Sequence, residues 1–256
     1  MVRYGNVDMD GLEERMLALR REIRAASAVN DPVRVRSLRA ELRQAERAWE
    51  ETLDPPPLPR PPVRENVHQV LTFLGVPSAT KIIVSVDEAF FGGMLVNTQL
   101  SSLRRDEEKS FRSAPNARPY YLCAALTAER LSPARGLLAI STWAAPVRVV
   151  GPLSLRTDFL TTAVRIAERV RGLASVGENP VVAFRLLTQL AQNIPGAMDD
   201  FGPADPAAVV VAAQAELAVH QEKDLRQRAA AAERAARQLP EVNRLFGAGL
   251  KTARIA

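Results

Sequence analysis

Asn97-Thr98-Gln99-Leu100-Ser101-Ser102-Leu103-Arg104-Arg105-Asp106-Glu107-Glu108-Lys109-Ser110-Phe111-Arg112 is the stretch on which the fold turns. On a helical wheel Leu100, Leu103, Arg104, Glu107 and Phe111 share one side, while Thr98, Ser101, Ser102, Arg105, Lys109 and Arg112 take the other. An apolar helix carrying Val67, Val70, Leu71 and Leu74 precedes it, closed by Gly75. Between the two lies a segment opened by Ser78 and stopped by Gly92-Gly93. Its run Lys81-Ile82-Ile83-Val84-Ser85-Val86 has strand-like residues. Ser78 as a cap, and the continuation through Asp87 to Phe91, favour helix. Downstream, residues 120–126 and 136–143 read as two strands, with a basic loop over 128–135.

Around this centre the chain divides by composition. Residues 8–53 are expected to form an antiparallel helical hairpin: Leu12, Met16, Leu19, Ile23 and Ala26 face Val35, Leu38, Leu42, Ala45 and Trp49 across Asn30-Asp31-Pro32. A seam this narrow buries little area alone, so self-association into a homodimer through helical segments is expected. The proline-rich stretch 54–63 is a semi-rigid linker. Residues 64–150 form the middle domain and 151–256 a helical region. In that region Phe159, Ala163, Ile166, Val170 and Leu173 line one helix, and Ala183, Leu186, Leu187, Leu190 and Ile194 the next, which Asn179-Pro180 opens. A long alanine-rich helix starts at Asp205-Pro206, laced with the i,i+4 pairs Glu222–Arg226, Asp224–Arg228 and Glu233–Arg237, as in a spacer, a bundle member or an oligomer contact. The tail from Gly247 is expected to be loose. The fold class is therefore mainly α with a small β-hairpin.

Composition excludes more than it assigns. The chain has 256 residues, 47% apolar and 25% charged, with a net charge of +5. That balance permits an anionic partner without demanding one. Only Lys81, Lys109, Lys223 and Lys251 are lysine, a bias that GC-rich bacterial coding also produces. No apolar run is long enough for a membrane helix, and the first eight residues lack a signal-peptide core, so a cytoplasmic protein without membrane contact is expected. The single cysteine, Cys123, reads as a small buried hydrophobe.

Enzyme signals are poor. His68 and His220 are isolated, and no Cys/His cluster has metal-ligand spacing. Gly92-Gly93 is too short to cradle a phosphate. Asp200-Phe201-Gly202 has the form of a kinase metal-binding triplet but lacks every accompanying motif, so Asp199 and Asp200 read as loop residues. The expectation is a non-enzyme with no cofactor and no metal. Arg156, Arg165, Arg169 and Arg171 read as a solvated face.

The element order over 67–143 resembles the winged helix-turn-helix domain of bacterial transcription regulators, and Leu103 to Arg112 with Arg118 to Cys123 is similar to actinobacterial proteins. The resemblance is architectural and covers about a third of the chain. It implies a sequence-specific regulator of transcription, dimeric, with double-stranded DNA as partner. Thr98, Ser101, Ser102, Arg105, Lys109 and Arg112 would then face the major groove, with Arg130 and Arg135 on the wing and Arg118 on a phosphate. The turn at 92–96 is longer than the three or four residues usual in that family. Residues 60–150 hold eleven Arg/Lys against seven Asp/Glu, a modest excess that calls for a dimer. The alternative expectation is a structural scaffold whose winged helix and coiled helices bind protein partners.

Overall fold

The computed structural model describes residues 9–53, 61–115, 117–177, 180–198 and 202–247. The linker core 54–60, the triad of Asp199, Asp200 and Phe201, Asn179 and the tail beyond Gly247 lie outside the described residues. Among the described residues the protein is mainly helical, with one small four-stranded sheet. It divides into two compact units, 1–60 and 61–256.

The first unit is a helical hairpin of α1 (Met9–Ala28) and α2 (Pro32–Leu53). Asn30 turns the chain with φ 54°, and the Asp31 carboxylate accepts the Arg34 N–H at 3.0 Å, capping α2 one residue before Pro32. Met16, Leu19 and Ala26 are buried against Leu38 and Ala45. The two arms thus cover each other's seam. Ile23, Val35, Leu42 and Trp49 remain half-buried, and the Trp49 indole N–H is buried without an acceptor.

The second unit opens with α3 (Val63–Leu74), a two-residue strand β1 (Ser78–Ala79), α4 (Thr80–Phe90) and α5 (Asn97–Ser113). Val67, Val70, Leu71 and Leu74 are fully buried at three- and four-residue spacing, and Gly75 ends α3 at φ 70°. The β-branched run after Ser78 is helical because Ile83 and Val86 point into the core one turn apart. Ser78 itself is no cap: it lies in β1, and its hydroxyl donates to the Val76 carbonyl. Asp87, fully buried, ties down the long turn between α4 and α5. Its carboxylate accepts the Leu95 N–H at 2.7 Å, and its carbonyl accepts from Phe91 and Gly93.

Strands β2 (Leu122–Thr127) and β3 (Pro133–Ile140) follow, then a 3-10 turn (Ala145–Arg148) and β4 (Val149–Val150). The strand order is β1-β3-β2-β4; β1 and β2 are antiparallel to β3, while β4 is parallel to β2. Alternate residues serve two cores. Leu122, Leu138 and Ile140 join the main core, and Tyr121, Cys123 and Ala139 join a second cluster on the other face. That is why β2 reads as unbroken apolar sequence. Its loop to β3 spans only 128–132, so Arg135 lies in β3 and not at a tip. The register slips between Ala124 and Leu126, and this bulge, with Gly136 at φ 75°, leaves Arg135 and Gly136 both exposed.

Among the described residues four more helices follow: α6 (Ser154–Ser175), α7 (Val181–Ala191), α8 (Pro206–Gln238) and α9 (Glu241–Phe246). Asp205 caps α8, accepting the Ala207 N–H at 3.0 Å ahead of Pro206. At 33 residues α8 is about 50 Å long. It packs along α6 and on the 3-10 turn and β4, so packing continues through the expected boundary at 150. The short helix α9 has no counterpart in the sequence reading. It places Leu245 and Phe246 against Phe111 and Tyr121.

Candidate functional site

The outward face of α5 collects most of the residues singled out in sequence. Thr98, Ser101, Arg105, Lys109 and Arg112 are exposed and Ser102 is half-buried, while Leu100 and Phe111 are buried opposite. The Ser101 hydroxyl donates to the Thr98 carbonyl at 2.7 Å. Arg112 is held by Glu108 through two hydrogen bonds, at 3.1 and 2.8 Å, one turn away. Among the described residues Arg105 and Lys109 have no acidic partner. Exposed Asp106 lies to one side of their stripe and Glu108 to the other.

Glu107, the middle acid of the three, is turned inward and is 3% exposed. One oxygen accepts from Arg64 at 3.2 Å and Arg118 at 2.8 Å, and the other accepts the backbone N–H of Leu122 at 3.0 Å. Arg118 is therefore a clamp on α5, which is a different task from the phosphate contact expected of it. Arg64 also reaches the Tyr120 carbonyl and sits 4.4 Å over the Tyr120 ring, whose hydroxyl donates to Glu65. Burial, aided by that acceptor, pushes the Tyr120 phenol up to about 12. This knot joins α3, α5 and the approach to β2, and fixes the rotation of α5 about its axis. Glu107→Gln is expected to cost about 1–3 kcal/mol by leaving two guanidinium groups without their shared charge. Thermal melts of the two proteins check it, and equal midpoints would remove Glu107 from this role.

The turn between β2 and β3 exposes Glu129 and Arg130 and buries Leu131, which adopts φ 52°. Arg234 of α8 donates to the Ala128 carbonyl at 2.6 Å, and the Ala128 N–H donates to Val150. The long helix thereby grips the base of the turn. Between α5 and β3 runs a cleft of about 620 Å³, with Arg104 on one wall and Arg135 on the other.

A second polar assembly, built around the i,i+4 pair of Asp224 and Arg228, lies between α6 and α8. Asp224 accepts from Ser154 at 2.6 Å, Thr157 at 2.8 Å and Arg228 at 2.7 Å. Arg228 also donates to Asp158 at 2.5 Å, and Ser154 accepts the Gly151 N–H. All of these side chains are buried. Burial outweighs Arg228 and pushes the Asp158 carboxyl up to about 6. Arg156 likewise belongs to packing, bound to Glu216 and to the Asn193 carbonyl, whereas Arg165, Arg169 and Arg171 are exposed. Cys123 is fully buried, and that burial pushes its thiol up to about 11.

His68 stacks on Tyr120 with ring centroids 4.0 Å apart. Among the described residues no group of three His, Cys, Asp or Glu side chains is arranged to hold a metal, and no helix is long and apolar enough to cross a membrane. No protein-family model matches the chain, and neither a curated protein nor a solved structure is significantly similar to it.

Proposed function

We propose that the protein is a sequence-specific, DNA-binding regulator of transcription that reads duplex DNA through a winged helix built from α3, α4, α5 and β1 to β3. The observation that carries the reading is the cationic stripe of Arg105 and Lys109, without an acidic partner among the described residues, on the outward face of α5. Two further features support it: the order helix, strand, helix, helix, strand, strand, and an antiparallel sheet ordered β1-β3-β2. Thr98, Ser101 and Ser102 are short polar side chains at the start of α5, which lets backbone approach base edges. Arg130 and Arg135 supply the wing contacts. Of the three acids on α5, Glu107 is withdrawn by Arg64 and Arg118 and Glu108 is paired with Arg112, which leaves Asp106 as the local repulsion.

Four such cations neutralising four phosphates give a salt slope of about −3.6, and a dimer doubles it. One copy therefore binds weakly at physiological salt, and the proposal includes a homodimer formed through the helical segments. The Arg105→Ala/Lys109→Ala variant is expected to lose about a hundredfold in affinity and about 2 in slope per copy, with an unchanged melting temperature. Binding to genomic fragments over a salt series, with the retained fragments sequenced, checks this. Wild-type affinity in the double variant would remove α5 as the reading helix. Exposed Asp106 beside the stripe, and exposed Glu129 next to Arg130 in the turn, favour a second reading, in which these surfaces bind a protein partner; salt-independent failure to retain any DNA would support it.

A further inference from the structure

The cleft between α5 and β3 combines features that point to a specific ligand chemistry. Arg104 and Arg135 line it together, with the hydroxyl-bearing Ser101 and Thr80 and an apolar floor of Leu100 and Leu138. Among the described residues no acidic side chain lines it. Among the described residues neither arginine has a carboxylate partner, whereas Arg118 and Arg156 each have one and Arg64 and Arg228 each have two. Two like charges facing one acid-free cleft raise its potential, and an anion relieves their repulsion.

We propose that this cleft binds one phosphate group, clamped between Arg104 on α5 and Arg135 on β3. A tetrahedral phosphate offers oxygens to donors arriving from opposite walls, whereas a carboxylate is fully served by a single planar fork. The β3 bulge is what turns Arg135 outward beside the cleft, and Arg104 is the half-buried residue at the edge of the inward side of α5. Ser101 belongs both to the cleft and to the exposed face of α5, so a phosphate held here lies next to that face. The source we assign is a phosphodiester of bound DNA, which rests on the function proposed above; the phosphate chemistry does not. Such a contact fixes the register of α5 on the duplex and carries no base information.

The test uses the full chain and three variants, Arg104→Ala, Arg135→Ala and both together, with circular dichroism confirming the fold. Inorganic phosphate is titrated at constant ionic strength and followed by amide resonances of residues 101–104 and 134–137. The expected result is a saturable shift in the wild type, weakened at least tenfold in each single variant. In a parallel salt series with a 20-base-pair duplex, the double variant loses about 0.9 in slope per bound copy, the value for one shared phosphate in each. Phosphate capture lost in the variants, with no DNA retained by the wild type, supports the cleft as a site for a free phosphate and overturns only its DNA source. Absence of a saturable shift, or a shift that survives in the variants, overturns the cleft even if DNA binds. A slope loss of about 1.8 per bound copy overturns the shared clamp, because it requires two separate phosphates in each copy.

Discussion

Arg228→Met is expected to lower the unfolding free energy by about 3–5 kcal/mol, the cost of leaving buried charge without its counter-ion. Methionine keeps the apolar stem and removes only the guanidinium. In the native protein that group donates to Asp224 and Asp158, which are 3% and 8% exposed. Its loss leaves two carboxylates between α6 and α8, with only the Ser154 and Thr157 hydroxyls as donors to Asp224. Against a typical domain stability of about 5–15 kcal/mol, this removes a large fraction, a drop of roughly 10 °C in melting temperature. Adding Asp158→Asn and Asp224→Asn to the variant is expected to restore part of the loss. A melting temperature within a degree or two of the wild type would show that the assembly contributes little.

The same assembly gives stability an unusual dependence on pH. Asp158 is pushed up to about 6 from an ordinary 3.8, so between these values the folded protein holds a proton that the unfolded chain has released. Stability from this group is therefore present at low pH and is lost as pH rises from about 4 to about 6. The Asp158→Asn variant lacks that loss, and its amide oxygen still accepts from Arg228. Relative to the wild type it should gain stability across this window, by about 1.4 kcal/mol for each unit of difference in pKa. Denaturation series at pH 4, 5, 6 and 7 measure the gain, and parallel curves for the two proteins would count against it.

Phe246→Ala is the second large effect, expected at about 3–5 kcal/mol for an emptied aromatic site. Phe246 is 2% exposed and lies 5.8 Å, centroid to centroid, from Phe111, which meets Tyr121 edge-on at 5.1 Å. Helix α9 has six residues and no helical stability of its own, so it stays in place through Leu245 and Phe246. Gly247 fixes how it ends: φ is 82°, and a Cβ there would come within 2.7 Å of the Pro133 nitrogen. The buried thiol of Cys123 shares the cluster and makes a reporter. In the alanine variant a thiol reagent should modify Cys123 much faster under native conditions, alongside the lower denaturation midpoint. Unchanged reactivity together with an unchanged midpoint would show that α9 is dispensable to the cluster.

The residues that made the fold legible in sequence are those whose pattern answers to one element. Val67 to Leu74 with Gly75, Leu100 to Phe111, and Asp205-Pro206 each carry periodicity plus a start or stop. Strands β1 and β4, at two residues each, have no period to detect, and neither does α9. The pairing of Asp224 with Arg228 was legible, but not its burial, because an i,i+4 pair has the same spacing on a buried face as on a wet one. Only the packing of α8 on α6 decides between them. Arg135 was placed at a loop tip because a bulge cannot be seen in one strand's sequence; it is a property of the pair. Glu107 did fall on the inward side of the wheel, and that position was the one available signal that it faces Arg64 and Arg118 rather than solvent. The outward stripe of α5 was readable for the converse reason, since Thr98, Ser101, Arg105 and Lys109 have no apolar neighbour on their side of the helix.

The seating of Phe246 on Phe111, Tyr121 and Cys123 also sets a timetable for biosynthesis. More than a hundred residues separate Cys123 from Phe246. At translation speeds of about 5–20 residues per second, the apolar surface formed by Phe111, Tyr121 and Cys123 waits about 6–25 seconds for its cover. During that interval the nascent chain presents an apolar strand to the cell, a natural target for holdase chaperones. A message truncated anywhere before α9 would leave that surface bare for good, and its product would be marked for proteolysis rather than released as a smaller working protein.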